Sequence, residues 1–369
     1  MKILQIIPEM NAGGVELCVL ETARHLVNHG HEAIVVSNGG RLVEELRKAG
    51  GRHVSMPVHR KSVGALLQVR PLRRLLMAER PDVLHIVSRV PGWIAWLAWR
   101  GLPVGGRPHF VSTVHGFYSV NIFSSIMTRG ERVIAVSESI RDYITSNYPS
   151  APTENIRVIP GGVELERYAR GFTPAASWLE TWRREHPLCV GKALLTLPGR
   201  ITRLKGHGDF FQLVAGLKRS GVPVHGLVVG DTHPKKQAYL AELRERAMEL
   251  GVGDDVSFLG HRNDLREILA VSDVVLSLSQ QPESFGRTVL ETLALGRMFV
   301  GYDHGGVGEQ LRKLFPQGCV KLGDQAGLLA TTRRVLRDRP TPAAVGEPYT
   351  LDCMCRSTVA VYEELVTNS

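Results

Sequence analysis

The chain has few of the features that brace small or secreted proteins. Its 369 residues contain five cysteines, Cys18, Cys189, Cys319, Cys353 and Cys355. Cys353 and Cys355 are too close for a Cys-x-x-Cys pair, and the five form no metal-ligand spacing. The odd count argues against a disulfide framework, so a reducing compartment is expected. Long apolar runs are also missing. Met1 to Ile7 stops at Pro8 and lacks the length of a signal peptide. Val90 to Leu97, followed by Ala98, Trp99 and Arg100, is too short to span a bilayer. The expectation is a cytoplasmic protein, with association to a membrane surface left open. Low-complexity segments and solenoid-period repeats are absent.

The length suits two domains of ordinary size, and a 43% hydrophobic content fits globular packing. The net charge of +9 is unevenly spread. Residues 1–170 hold 21 Lys/Arg against 14 Asp/Glu, and residues 171–369 hold 24 against 22. Within 51–132 there are 12 basic and 3 acidic residues. That segment favours anionic company, whether lipid, polyanion or acidic substrate.

Short β-branched runs alternate with amphipathic stretches. Lys2–Ile7, Glu32–Ser37, Val83–Val87, Phe110–Val114, Arg132–Val136 and Ile156–Ile159 predict strands, and Glu16–Asn28 and Ser137–Ser146 predict helices. Ser137 reads as an N-cap. The alternation fades between Pro160 and Gly191, then resumes with strands at Ala193–Leu197, His225–Val229, Val256–Leu259, Val274–Leu278, Phe299–Tyr302 and Cys319–Lys321. Helices are expected at about 206–219, 234–250, 263–271, 285–295, 307–314 and 324–337. Near-continuous apolar strands alternating with helices imply α/β architecture: two doubly wound, parallel-sheet domains in series. The boundaries read as 1–165, a linker at 166–190 with a short helix at Trp178–Arg184, and 191–345. A terminal helix within 346–369 has the option of returning to the first domain. Ligands of such sheets bind at strand carboxyl ends, so the following loops should carry function.

Four loops stand out. Pro8 to Glu16 places Gly13 and Gly14 between a strand and a helix N-terminus, where backbone can approach an anion, although a glycine turn of the fold explains it equally. No G-x-G-x-x-G fingerprint is present. His115, beside Gly116, follows the strand Phe110–Val114 and can be functional or structural. Gly199 to Gly206 carries Arg200 and Lys205 into a helix, where a guanidinium fork and an ammonium can clamp a diphosphate; a solvated surface pair is the plainer alternative. Glu283 and Glu291 have seven residues between them around a helix start. Amides near Ser284, Phe285, Gly286 and Arg287 would be free for phosphate oxygens. Glu291 stands in the apolar run Val289–Leu295, where a merely solvated acid is less expected.

These elements, in this order, resemble a family 4 glycosyltransferase of the GT-B fold, within the bacterial group that decorates lipopolysaccharide cores and other cell-surface glycans. The resemblance spans nearly the whole chain. Its most specific part is Glu-x7-Glu, supported by Gly-Arg-x4-Lys-Gly and the N-terminal Gly-Gly. It implies two Rossmann-like domains with a cleft between them, the first for acceptor and the second for a nucleotide-diphosphate sugar. It also implies that Arg200 and Lys205 hold the diphosphate, Glu283 the sugar hydroxyls and Glu291 the ribose. Ser284, Phe285 and Gly286 would meet phosphate or sugar, Gly13 and Gly14 would let phosphates approach, and His115 would sit at the reacting centre. His261 and Arg262 fall where the family places the base. The reaction implied retains the anomeric configuration, the donor phosphate helping to take the acceptor proton. No Asp-x-Asp motif is present, and neither metal nor other cofactor is expected. Gly161-Gly162-Val163-Glu164 departs from the Asn-Gly-Val-Asp common in relatives. Tyr302 to Glu309 is the usual glycine-rich turn.

Two enzymatic alternatives remain on the same architecture, an epimerase and a phosphorylase. A nucleic-acid partner is not expected, because the basic excess is not interleaved with stacking aromatics. The acceptor expected from the resemblance is a glycan or a lipid-linked molecule. An anionic inner-membrane surface is a candidate partner, met through His59-Arg60-Lys61, through Ser62 to Met77 with Arg70, Arg73 and Arg74, and through Trp93, Trp96 and Trp99. The plainer alternative turns the leucines of that segment to the core.

Overall fold

The computed structural model describes residues 1–11, 13–60, 63–231 and 237–367. Ala12, Lys61, Ser62 and the expected helix start at 234–236 lie outside the described residues. Two compact units form: Met1–Gly162 with Pro348–Ser369, and Val163–Glu347.

The first unit contains strands β1 (Lys2–Ile6), β2 (Glu32–Ser37), β3 (Arg52–Ser55), β4 (Val83–Ile86), β5 (His109–Val114), β6 (Arg132–Ala135) and β7 (Ile156–Val158). They pair in the order β3-β2-β1-β4-β5-β6-β7, every pair parallel. β4 is buried along its whole length, as a strand covered by helices on both faces must be. β3 was not legible as a strand: Arg52 and Ser55 are exposed, His53 and Val54 half-buried, so no apolar run marks this edge. Ser137 caps the helix Glu138–Asn147, its hydroxyl accepting from the Ile140 amide at 3.2 Å.

The helix Leu351–Thr367 completes this unit. Its Met354, Cys355, Val359, Val361 and Tyr362 join a core with Leu26, Val35 and Val111. The Tyr362 hydroxyl lies 2.7 Å from His85 Nδ1, and His85 Nε2 lies 2.7 Å from the Thr113 hydroxyl, so the polar atoms of this buried row are satisfied.

The second unit contains β8 (Ala193–Pro198), β9 (Val224–Val229), β10 (Val256–Gly260), β11 (Val274–Ser277), β12 (Met298–Tyr302) and β13 (Cys319–Val320), in the parallel order β10-β9-β8-β11-β12-β13. The strand order reverses between β8 and β11, and the loops after these two strands hold the candidate donor residues. Residues 166–190 pack within this unit. Trp182, on the helix Ala176–Glu185, is buried with Leu194, Leu227 and Ile268. Sparse apolar residues between prolines concealed that packing in the sequence.

The basic segment divides its side chains. A 3-10 turn at Val63–Gln68 leads into the helix Val69–Glu79. Leu72 and Leu76 face the core, whereas Leu66 and Leu67 are exposed. Arg70 and Arg74 point outward. Arg73 turns in to donate to the carbonyls of Leu97 and Ala98, each at 3.3 Å, bonding the last turn of the helix Arg89–Arg100. The tryptophans are half-buried. Trp93 donates to the Phe123 carbonyl at 2.8 Å and Trp99 to that of Pro108 at 2.7 Å. Among the described residues no helix is long and apolar enough to cross a membrane.

Candidate active site

The loop after β8 is pressed against the end of β11. Gly206 adopts φ +71°, and a Cβ there would clash with the Leu278 carbonyl oxygen, which only glycine avoids. The Gln280 amide donates to the Leu204 carbonyl at 2.7 Å. The Gln280 side chain and the Tyr302 hydroxyl both donate to Asp209 Oδ2, at 2.6 and 2.5 Å, which ties the helix His207–Arg219 to β12. Burial and the Asp209 charge keep the Tyr302 phenol protonated.

This bracing brings Lys205 Nζ to 2.8 Å from Glu283 Oε1. The same oxygen accepts from the hydroxyls of Ser277, at 3.1 Å, and Ser279. Burial alone would push the Glu283 carboxyl up. The Lys205 ammonium and the two hydroxyls more than offset it and hold the group below the usual range, hence ionised. Arg200 is exposed, and with Lys205, Ser279 and Glu283 it lines an open pocket of about 710 Å³. The other wall consists of residues the sequence did not single out. Arg203 donates both arms to Glu242, at 3.0 and 2.6 Å, and its guanidinium lies 4.6 Å from the centroid of the Tyr239 ring. Tyr239 and Glu242 are three residues apart on the helix Gln237–Glu249 after β9, a spacing that would have marked one face.

The helix after β11 begins later than its periodicity predicts, at Arg287, and ends at Ala294. Gly286 caps it at φ +88°, where a Cβ would meet Val307. Residues 283–286 are therefore outside the helix, and Glu283 and Glu291 do not share a helical face. Glu291 is the fifth helical residue, 9% exposed, its Oε1 3.7 Å from Arg287 Nε. Burial and the Glu291 charge push the Tyr168 phenol up to about 12. Ser284 is half-buried and Phe285 buried. The Phe285 and Gly286 amides have no backbone acceptor among the described residues.

After β10, His261 is exposed with Nε2 3.1 Å from Asn263 Oδ1. Arg262 is occupied: it donates to both oxygens of Asp264, at 2.8 and 2.6 Å, and Asp264 also accepts from Trp178 at 2.8 Å. In the first unit His115 is half-buried at the carboxyl end of β5, and burial lowers its pKa to about 4, so it is neutral. Gly13 is the extended N-cap of the helix Gly14–Asn28, and a Cβ on Gly14 would meet no atom within 4 Å. Among the described residues no group of three or more His, Cys, Asp or Glu side chains gathers as a metal site.

The model of Glycosyltransferase Family 4 matches residues 12–167, and that of Glycosyl transferases group 1 matches residues 180–348. The chain belongs to the family 4, group 1 glycosyltransferases. This glycosyltransferase is 24% identical to the N-acetyl-alpha-D-glucosaminyl L-malate synthase of Bacillus anthracis, over 96% of this chain and 90% of that one. It is 25% identical to the D-inositol 3-phosphate glycosyltransferase of Nocardia farcinica, over 82% and 72%. A glycosyltransferase structure from Rickettsia africae superposes with a TM-score of 0.84 at 24% identity, covering 100% of this chain and 99% of that one. Anabaena HepE, solved with UDP and glucose, gives 0.82 at 20% identity, covering 98% and 99%. The architecture is thus the GT-B fold.

Proposed function

We propose that this glycosyltransferase moves a hexose-type sugar from a nucleotide-diphosphate sugar to a glycan or lipid-linked acceptor, with retention at the anomeric carbon, in the synthesis of lipopolysaccharide or another cell-surface polysaccharide. Residues 191–345 take the donor and residues 1–165 the acceptor. The observation that carries the reading is the Lys205–Glu283 pair on the wall of an open pocket that also holds Arg200. Lys205 has three N–H donors; Glu283 takes one, leaving the others for phosphate oxygens. Arg200 adds a planar fork. The Phe285 and Gly286 amides supply further donors. The solved HepE complexes with UDP and with UDP-glucose support a nucleotide-sugar donor.

The chemistry assigned to these groups is a front-face displacement. The anomeric C–O bond to the diphosphate breaks, and Arg200 and Lys205 stabilise the charge left on the phosphate oxygen. The acceptor oxygen bonds to the same face of the sugar, and its proton passes to the departing phosphate. Glu283, held ionised, accepts from donor-sugar hydroxyls. Glu291 accepts from the ribose, and neutral His115 lies by the reacting centre. His261 borders the base; Arg262, bound to Asp264, serves that edge indirectly. The exposed Arg60, Arg70 and Arg74 with Leu66 and Leu67 support contact of the first unit with an anionic membrane surface, from the inner, cytoplasmic side.

A panel of nucleoside diphosphates tests the reading by thermal unfolding, since a ligand of the folded state raises Tm by mass action. One base should stand out, and Lys205→Ala should reduce its shift. A panel that moves no Tm would refute the donor assignment. With an acceptor present, nucleoside diphosphate should be released in step with transfer; release of sugar phosphate instead would mark a phosphorylase.

A further inference from the structure

Arg89 opens the helix Arg89–Arg100 at the carboxyl end of β4. It is half-buried. Nη1 donates to the Ser124 hydroxyl at 3.1 Å. Its guanidinium lies 4.6 Å from the Tyr118 ring centroid and 5.8 Å from that of Phe123. The Tyr118 ring lies beside Gly116, where a Cβ would meet its edge at 3.3 Å. Arg89 and Tyr118 therefore stand together at the carboxyl ends of the paired strands β4 and β5.

Several other half-buried arginines have carboxylate partners. Arg132 meets Glu364 at 2.6 Å, Arg262 meets Asp264 at 2.6 Å, and Arg266 meets Glu267 at 2.6 Å. Arg73 is held by two main-chain carbonyls. Among the described residues no carboxylate pairs with Arg89, whose oxygen partner is the Ser124 hydroxyl. A guanidinium has five N–H donors, so four remain. None of the Arg89 nitrogens is both buried and unpartnered, so the remaining donors are open to an oxyanion from outside the protein. The Tyr118 and Phe123 rings fix the plane of the guanidinium, which pre-orients it for two-pronged contact with an oxyanion.

We propose that Arg89 is the anchor for an oxyanion of the acceptor, a phosphate or carboxylate. This deepens the transferase reading and rests on it for the word acceptor; the oxyanion site itself is independent of it. Arg70 and Arg74, which are exposed, serve a surface, whereas Arg89 is placed for one group.

The test uses the full chain labelled with 15N-arginine. The Arg89 Nε–H signal is assigned through its loss in Arg89→Lys, with near-ultraviolet circular dichroism confirming that the variant is folded; Ser124→Ala, which removes the hydroxyl partner, gives a second assignment by its shift. Methyl phosphate is titrated at constant ionic strength. The Arg89 signal should move saturably, and should do so equally in Lys205→Ala, which excludes transmission from the diphosphate pocket. A signal that stays still, or that moves only while Lys205 is intact, overturns the proposal. Vesicles of phosphatidic acid and of phosphatidylcholine form the second arm. A response to phosphatidic acid in addition to methyl phosphate supports a lipid-borne source for the oxyanion; a response to both kinds of vesicle alike counts against the site. UDP and GDP binding, measured in parallel by thermal shift, keeps the donor reading separate: nucleotide binding with a silent Arg89 sinks only the oxyanion site.

Discussion

Lys205 Nζ and Glu283 Oε1 stand 2.8 Å apart, on loops that follow two different strands, and each sets the state of the other. The ammonium keeps a buried carboxyl ionised. The carboxylate in turn holds the lysine on the pocket wall. Glu283→Gln preserves shape but removes the charge, and should lower kcat on the order of a hundredfold, because its contacts with sugar hydroxyls strengthen in the transition state. Glu291→Gln should mainly raise the donor KM, since a ribose contact is shared by ground and transition states. Steady-state kinetics on both variants decides; equal and negligible effects would remove the two glutamates from the site.

Arg200→Ala and Lys205→Ala should each weaken nucleoside diphosphate binding by roughly 1.5–3 kcal/mol, the cost of one charge-assisted contact. Calorimetric titration measures it. Activity in EDTA should stay largely intact if these cations neutralise the leaving group. Abolition by EDTA and restoration by one divalent ion would contradict that assignment.

Several histidines are held neutral, burial being the main cause: His85 at about 3, and His115, His207 and His225 at about 4. Their folded values lie below the unfolded value of 6.5. The unfolded chain therefore binds more protons in between, and stability present above 6.5 is lost as pH falls toward 4. The urea midpoint should drop between about pH 7.5 and about pH 5. A midpoint that rises over that interval would show these histidines charged in the fold.

Gly206→Ala should destabilise the chain by about 1–3 kcal/mol from backbone strain alone, with the clash at Leu278 adding to it. Urea unfolding checks this. The same substitution displaces Lys205, so nucleotide affinity should fall in parallel; unchanged affinity would mean that the loop does not depend on its contact with β11.

Liposome sedimentation tests the basic face. Arg60, Arg70 and Arg74 changed together to Glu should abolish binding to anionic vesicles at low salt, each basic residue contributing about 1 kcal/mol. Arg73 is left intact, because its contacts with the Leu97 and Ala98 carbonyls make it a structural residue. Wild-type protein that fails to bind at low salt would dispose of membrane contact.

The sequence by itself determined the alternation of strands and helices, the doubly wound class and the loops to which the chemistry is assigned as a proposal. These follow from short-range rules: apolar runs for covered strands, 3.6-residue periodicity, glycines at turns. The Gly-Arg-x4-Lys-Gly and Glu-x7-Glu motifs were legible because their residues are close in the chain. Tertiary structure alone decided which charges meet. Lys205 and Glu283 are 78 residues apart, Arg203 and Glu242 are 39 apart, and His85 bonds Tyr362 across 277 residues. No periodicity relates such positions, since the sheet order brings them together. It also decided that Arg73 turns inward, that Arg262 belongs to Asp264, and that Arg89 meets the Ser124 hydroxyl in place of a carboxylate. Sequence records that an arginine is present, whereas its electrostatic role depends on the burial and partners that folding supplies.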